Sequence, residues 1–217
     1  MSLTKAQMFR ISPAQDASSC AWVRDIAVGQ YRALRLSVSH YSRDDDRGGE
    51  HKSVATWIHL KLFKQLEPQC YPLDDKEHGL RKIQQISLRP VEIDRILQSL
   101  EDLRMHLLTS MYIKHEHLIV EPSEYFNISE YDDSLRCHWF GDIHESWRRK
   151  VRIAYVIYNT KDPLKTTYVQ FKLFTRKSLD EVFTRHAQVS LTLGEFRELS
   201  NQSADLMTSI KDAVYGQ

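Results

Sequence analysis

Cysteine is scarce in this sequence of 217 residues. Its three cysteines, Cys20, Cys70 and Cys137, are odd in number and far apart, which argues against a disulfide-stabilised scaffold. Seven glycines and six prolines leave little room for a long flexible linker. No apolar run approaches the roughly 20 residues that a membrane helix needs, and the first residues lack the pattern of a signal peptide. We expect an intracellular protein without a membrane partner, nuclear if it is eukaryotic or comes from a virus replicating in the nucleus.

The sequence also has no large excess of one charge sign. Thirty Lys and Arg residues face 29 Asp and Glu residues, a formal net charge of +1. Domains that bind nucleic acid usually carry a basic excess, so such a function would have to rest on local patches. There is no glycine-rich phosphate loop, no nucleophile elbow and no pair of metal-binding carboxylates. The sequence therefore predicts a protein that is not an enzyme and needs no cofactor.

An internal repeat is the main positive feature. Both copies place a strand, a hydrophobic-Ser-Leu motif and an amphipathic helix in the same order. The first copy comprises residues 57–63, Ile86-Ser87-Leu88 and residues 90–108, and the second comprises residues 168–174, Val189-Ser190-Leu191 and residues 193–214. In both opening strands one face is aliphatic or aromatic, whereas the other reads aromatic, polar, Lys, Phe. This shared order indicates a duplication.

The order of elements predicts an α+β protein with two repeats of a curved antiparallel sheet, each followed by one long helix. We divide the chain into a leader (1–29), a first repeat (30–108), a connecting segment with extra strands (109–146) and a second repeat (147–217). Strands are predicted over residues 30–41, 57–63, 80–88, 112–120, 136–140, 151–158 and 168–174. Ser18-Ser19 predicts a short helix over Ala21–Ile26. Each sheet is expected to bury one face under its own helix and to leave the other face in solvent.

The two long helices have clear start signals. Pro90 suits the first helical position, and Thr192 lies three residues before Glu195, the spacing of a capping box. The predicted apolar stripes are Ile93, Ile96, Leu97, Leu100, Leu103 and Leu107 in the first helix, and Leu193, Phe196, Leu199, Ser203, Met207, Ile210 and Val214 in the second. Helices of this length exceed what one small sheet covers, which indicates packing of helix against helix.

The second copy resembles the single-stranded-DNA-binding core of the transcriptional coactivator p15, also called positive cofactor 4. The resemblance is carried by Phe171-Lys172-Leu173-Phe174, by the ungapped spacing to Val189-Ser190-Leu191, and by the closing run Ile210 to Val214. The first copy is similar but has longer loops. The resemblance implies a sheet-and-helix unit that dimerises through its helix and binds single-stranded or melted DNA on its sheet. Two copies in one chain would then form an intramolecular pseudo-dimer, and a homodimer through the helices is an alternative.

The resemblance also implies which residues contact DNA. The family's basic sheet residue falls on Lys61 and Lys172. Its exposed aromatic residue falls on Tyr41 and Tyr158, and a second aromatic on Phe63 and Phe174. The family's tryptophan falls on Lys64 and Thr175, and its basic-Gly segment is reduced to Arg81-Lys82 and Arg185-His186. The full set of candidate nucleic-acid contacts is Arg35, Tyr41, Trp57, His59, Lys61, Phe63, Lys64, Arg81, Lys82, Arg152, Tyr158, Tyr168, Lys172, Phe174 and Arg185.

The residue pattern suits single-stranded nucleic acid independently of any family. Aromatic side chains on a sheet can stack on bases, and lysines between them can neutralise phosphates. We predict a sequence-tolerant single-stranded DNA-binding protein of replication, repair or transcription, with partner proteins from those processes. RNA stays open, because stacking does not choose the sugar. The rival hypothesis is an interaction or scaffold protein that keeps the fold without binding nucleic acid.

Three further alternatives stay open at this point. The aromatic residues of the second sheet face could form a second core under the leader or the connecting segment. The histidines of His115-Glu116-His117, with Cys137-His138 and His144, are of types that bind zinc, although closely spaced cysteines are absent. The acidic and aromatic segment 123–134 could be a solvated loop, could cover the basic sheet in the absence of DNA, or could bind a partner.

Overall fold

The computed structural model of the chain describes residues 20–28, 32–43, 53–64, 81–112, 137–157 and 167–216. These residues form two four-stranded antiparallel sheets and three helices, which confirms the α+β prediction. The first sheet contains β1 (Cys20–Val28), β2 (Arg32–Arg43), β3 (Ser53–Lys64) and β4 (Arg81–Leu88), followed by α1 (Pro90–Tyr112). The second contains β5 (Cys137–Glu145), β6 (Arg149–Ile157), β7 (Thr167–Thr175) and β8 (Thr184–Thr192), followed by α2 (Leu193–Asn201) and α3 (Ser203–Tyr215).

Each sheet begins with a strand that the sequence patterns located poorly. The short helix predicted over Ala21–Ile26 is wrong, because β1 pairs along its length with β2, which satisfies its backbone hydrogen bonds. The first sheet thus extends into the predicted leader, and β5 extends the second sheet into the predicted connecting segment. The strand predicted over residues 112–120 lies outside the described residues, except for Tyr112, which ends α1.

The two sheets repeat each other in their irregularities as well as in their strand order. The first strand of each sheet shifts register twice, at Cys20/Trp22 and Asp25/Ala27 in one copy and at Cys137/Trp139 and Asp142/His144 in the other. The pairing with the fourth strand shifts at Leu62/Phe63 and at Leu173/Phe174. Because an extra residue re-aims the side chains around it, matching shifts keep equivalent residues on the same face of each sheet.

The helices confirm most of the sequence prediction and correct one part of it. The described members of the α1 stripe, from Ile93 to Leu103, are buried. Thr192 Oγ1 accepts from the Glu195 amide at 3.3 Å, and the Glu195 carboxylate accepts from the Thr192 amide at 2.8 Å, as the capping box requires. The single helix predicted over residues 193–214 is interrupted at Gln202, and Leu206 is buried where Met207 was expected. No described helix combines the length and apolar character needed to cross a membrane.

The helix that follows the first sheet belongs to the second compact unit of the chain. One unit comprises residues 1–90 and 208–217, and the other comprises residues 91–207. Within the second unit, the Tyr155 phenol of β6 donates a hydrogen bond to the Leu103 carbonyl of α1. Within the first unit, His40 Nε2 of β2 lies 3.2 Å from the Ala213 carbonyl of α3. The prediction that the first sheet is covered by the helix that follows it is therefore corrected: α1 packs with the second sheet.

Burial of the Tyr155 phenol makes unfolding sensitive to alkaline pH. Burial raises the pKa of the Tyr155 phenol above its ordinary value of about 10. The unfolded chain releases this proton first as pH rises, so the free energy of unfolding falls above about pH 10. We expect Tyr155→Phe to weaken this alkaline loss and to lower stability at neutral pH by about 1 kcal/mol, because the hydrogen bond is removed. Urea unfolding of both proteins at neutral pH and above about pH 10 measures these two effects. If the free energy of unfolding of Tyr155→Phe depended on pH as strongly as that of the wild type, the prediction would be contradicted.

Candidate nucleic-acid interface

Each sheet has one apolar face and one polar face. In the first sheet the residues opposite one another across β2 and β3 include Leu36 with Leu60 on the apolar face and Arg35 with Lys61 on the polar face. In the second sheet Ile153 lies opposite Phe171, and Arg152 lies opposite Lys172. Side chains alternate between the two faces along each strand. This alternation determines which face each predicted contact on β2, β3, β6 and β7 occupies.

A row of four polar side chains crosses each polar face at the same place, and we call it the polar row. Each polar row contains an Asp on the first strand, an Arg on the second, a Lys on the third and a Gln on the fourth. The rows are Asp25, Arg35, Lys61 and Gln85 in the first sheet, and Asp142, Arg152, Lys172 and Gln188 in the second. Two of the predicted nucleic-acid contacts thus lie beside each other in each row, Arg35 with Lys61 and Arg152 with Lys172.

The polar face of the first sheet brings together most of the contacts predicted there. The members of this group are Arg35, Tyr41, Trp57, His59, Lys61, Phe63 and Lys82. Tyr41 is 50% exposed and meets His59 edge-on, with ring centroids 6.5 Å apart. Lys64 is exposed at the end of β3 and, by alternation, lies on the opposite face. Arg81 pairs with Lys64 along the backbone, and its side chain lies outside the described residues.

The polar face of the second sheet holds Arg152, Tyr168, Lys172, Phe174 and Arg185. Arg185 is exposed, and its Nη1 donates to the Gln188 side chain at 3.3 Å. Lys82 makes the corresponding contact with Gln85 at 3.0 Å in the first sheet. Tyr158, the remaining predicted contact, lies outside the described residues.

The centre of each polar face is buried, which corrects the expectation of a solvent-exposed face. Lys61 is 4% exposed and Lys172 is 2% exposed. Neighbouring side chains cover one another: the guanidinium of Arg35 lies 5.5 Å from the centroid of the Phe63 ring, and Arg152 lies at the same distance from Phe174. Such stacking of a cation on an aromatic ring is favourable. Exposed groups therefore lie at the rim of each face, where Tyr41, Lys82 and Arg185 are placed.

Sequence reasoning missed the aspartates of the polar rows. Asp25 accepts from Arg35 Nε at 2.6 Å, and Asp142 accepts from Arg152 Nε at 2.7 Å. A sequence signal for both existed, because the pattern Cys-x-Trp-x-x-Asp-Ile begins at Cys20 and again at Cys137. The glutamines had a signal too, since each precedes a hydrophobic-Ser-Leu motif. The aspartates were not predicted as members of a sheet because residues 1–29 were interpreted as a leader and residues 109–146 as a connecting segment, whereas β1 and β5 pair with their sheets.

The second polar face contains an ion-paired lysine at a position that is apolar in the first sheet. Lys150, which is buried, lies 2.9 Å from Glu145 and 3.4 Å from Asp142. The corresponding positions of the first sheet are the apolar pair Val28 and Ala33. The two faces thus share one polar row, but the Asp–Arg pair of the second face is more buried, and Lys150 adds a cation beside it.

The first face contains a hydrogen-bonded histidine at a position where the second face has a glutamine. His59 Nδ1 lies 2.9 Å from Ser87 Oγ and 3.2 Å from the Gln85 amide nitrogen. Gln170 takes the same position in the second sheet, as its pairing with Ser190 shows. Ser37 lies opposite His59, and its buried hydroxyl makes no hydrogen bond within the described part of the chain.

The zinc hypothesis finds no support in the residues that the structure describes. His115 and His117 lie outside them, as does the side chain of His138. Within the described ranges, no group of three or more His, Cys, Asp and Glu side chains could hold a metal ion.

No protein-family profile matches the sequence, and no curated protein matches it. Among solved structures the chain is similar to the plant transcriptional regulator PBF-2, with 15% identity over 86% of this chain and 87% of that chain and a TM-score of 0.28. It is also similar to WHY1 from Arabidopsis thaliana, with 12% identity over 90% and 91% of the chains and a TM-score of 0.30. Scores this low assign no function, and the resemblance to the p15 family stays an interpretation of the sequence.

Proposed function

We propose that this protein binds single-stranded DNA on the polar faces of its two sheets, without enzymatic activity, in replication, repair or transcription. The observation that carries the proposal is the repeated combination of cations and aromatic rings on one face of each sheet. The first face contains Arg35, Lys61 and Lys82 against a single described carboxylate, Asp25. This local excess of positive charge attracts phosphates even though the whole chain is nearly neutral.

In this proposal the rim and the centre of each face have different roles. The exposed side chains of Lys82 and Arg185 neutralise phosphates, which makes affinity depend on salt. The rings of Tyr41, Trp57 and Tyr168, which are exposed or half-buried, stack on bases. The polar row beneath holds the face rigid, because the Arg is fixed by its Asp and by the neighbouring Phe. A preorganised surface loses less conformational entropy on binding.

A second candidate function is supported by the burial of the polar rows. Lys61 and Lys172 are nearly inaccessible, and Arg152 is ion-paired at 2.7 Å. Buried charges that are paired can serve the fold alone. On this hypothesis the chain is an interaction or scaffold protein, and the polar rows position the strands without contacting a ligand.

Removing the two exposed rim cations, Lys82 and Arg185, distinguishes the DNA-binding function from the scaffold function. We expect Lys82→Ala/Arg185→Ala to weaken binding of a single-stranded oligonucleotide about 10-fold at low salt, because two phosphate-neutralising cations are removed. The slope of log affinity against log salt should fall by about 0.7 for each phosphate that the variant no longer neutralises. Fluorescence anisotropy with labelled single-stranded and duplex oligonucleotides at several salt concentrations measures both quantities.

A matched control removes two exposed arginines from helices, in Arg95→Ala/Arg197→Ala. This variant changes the net charge by the same amount and is expected to bind as the wild type does. Equal reductions of affinity in the two variants would indicate non-specific charge attraction. Absence of single-strand binding by the wild type at low salt would refute the proposal and favour the scaffold function.

The assembly state and the partners are part of the same proposal. We propose that the two repeats act as an intramolecular pseudo-dimer, with a homodimer through the helices as the alternative. Light scattering with and without oligonucleotide distinguishes one chain from two per complex. RNA is a second possible ligand, and competition between DNA and RNA strands of equal sequence measures the preference. Proteins of transcription or replication are the proposed partners.

A further inference from the structure

The hairpin tip between β5 and β6 presents an exposed tryptophan in a rigid setting. Only Ser146, Trp147 and Arg148 separate the two strands. Ser146 closes the tip: its amide donates to the Arg149 carbonyl at 2.7 Å, and its Oγ accepts from the Arg149 amide at 3.2 Å. Trp147 is nevertheless 50% exposed. A large aromatic ring is thus held outward by a closed turn.

Two arginines fix the position of this ring. The guanidinium carbon of Arg148 lies 4.0 Å from the centroid of the Trp147 ring, so one face of the indole is stacked by a cation. Arg176, which follows β7, donates from Nε to the Trp147 carbonyl at 2.5 Å and from its amide to the Arg148 carbonyl at 3.1 Å. Its Nη1 donates to the Leu179 carbonyl at 3.3 Å. Arg176 therefore joins the hairpin tip to the connection between β7 and β8.

The hairpin tip is continuous with the polar face of the second sheet. Phe183 is buried and contacts two cations, with Arg176 4.4 Å and Lys150 4.9 Å from its ring centroid. Lys150 lies on the polar face, opposite Phe174. A chain of cations and rings thus runs from the polar face to Trp147. Leu179 and Val182, 66% and 53% exposed, lie in the same connection and add apolar surface.

We infer that Trp147 is a base-stacking site that extends the proposed nucleic-acid interface beyond the edge of the second sheet. The inference rests on the proposed single-strand-binding function. An unstacked base would lie on the indole, and its phosphates would meet Arg148 and Arg176, which suit an anionic ligand. Stacking is sequence-tolerant, because every base has a π-face. Duplex DNA does not offer its internal bases for this contact, so Trp147 favours single strands.

Substitution at Trp147 tests this inference. We expect Trp147→Ala to weaken binding of an oligo-dT of about 20 nucleotides about 10-fold, equivalent to about 1.4 kcal/mol. Trp147→Phe should restore most of the affinity, because a ring remains. Duplex binding should not change in either variant. Binding of the wild type should quench tryptophan fluorescence, and Trp147→Phe should remove part of that quenching.

Tyr215→Ala is the matched control, because Tyr215 is a 73% exposed ring on α3. It should bind as the wild type does. If the wild type binds and Trp147→Ala binds equally well, the inference fails while the proposed function stands. If the wild type binds no oligonucleotide, both fail together. Loss of binding to an acidic peptide in Trp147→Ala, with oligo-dT binding unchanged, would overturn the inference in favour of a protein partner.

Discussion

Replacing Arg149 with methionine is expected to lower the free energy of unfolding by about 3–5 kcal/mol. Arg149 donates from Nε and Nη2 to the two carboxylate oxygens of Glu92, at 2.7 and 2.8 Å. Glu92 lies in the first turn of α1 and is fully buried. Without the guanidinium, the negative charge of the Glu92 carboxylate would stay in a low-dielectric environment with much weaker stabilisation. Urea unfolding followed by circular dichroism measures the destabilisation, provided that the dependence of the free energy of unfolding on urea concentration is the same in the two proteins.

Two further variants determine whether the destabilisation comes from this ion pair. Arg148→Met changes the neighbouring exposed arginine and should alter stability by less than about 0.5 kcal/mol. Glu92→Leu/Arg149→Met removes both charges and should recover most of the stability, because well-packed apolar residues can replace a buried ion pair. A destabilisation below about 1 kcal/mol for Arg149→Met would mean that solvent or other groups compensate the Glu92 charge.

The aspartates of the two polar rows are expected to differ strongly in their contribution to stability. Asp142 is 12% exposed and holds Arg152 and Lys150, which are 2% and 3% exposed. Asp25 is 36% exposed, and its partner Arg35 is 12% exposed. We expect Asp142→Ala to cost about 3–5 kcal/mol, because two buried cations lose a counter-charge. Asp25→Ala should cost about 1 kcal/mol or less, because water screens the exposed pair.

The duplication supplies the control for this comparison, since the two aspartates occupy equivalent positions in the two sheets. Thermal and urea unfolding of the two single variants and of the double variant would measure each cost. Equal costs would contradict the argument from burial. A double variant whose destabilisation equals the sum of the two would indicate that the aspartates act independently.

Much of the fold could be predicted because its signals are local. Alternation in residues 57–63 and 168–174 separates the apolar face from the polar face, because it depends only on neighbouring residues in each strand. Thr192 and Glu195 located the start of α2, because a capping box involves only neighbouring residues. The repeated hydrophobic-Ser-Leu motif identified the duplication, which the matching strand orders support.

The sequence by itself therefore determined the strand faces, the helix starts and the two-fold repetition, since each depends on residues close together in the chain. Tertiary structure decided the pairing of β1 with β2, which overrode the weak helix signal at Ala21–Ile26. It also decided that α1 packs with β6 and that Asp25 and Asp142 join the polar rows. Alternation indicates which side a residue faces but not what covers that side. Arg35 and Arg152 lie beside Lys61 and Lys172 only because strands that are apart in sequence pair, and both lysines are buried in the folded sheets.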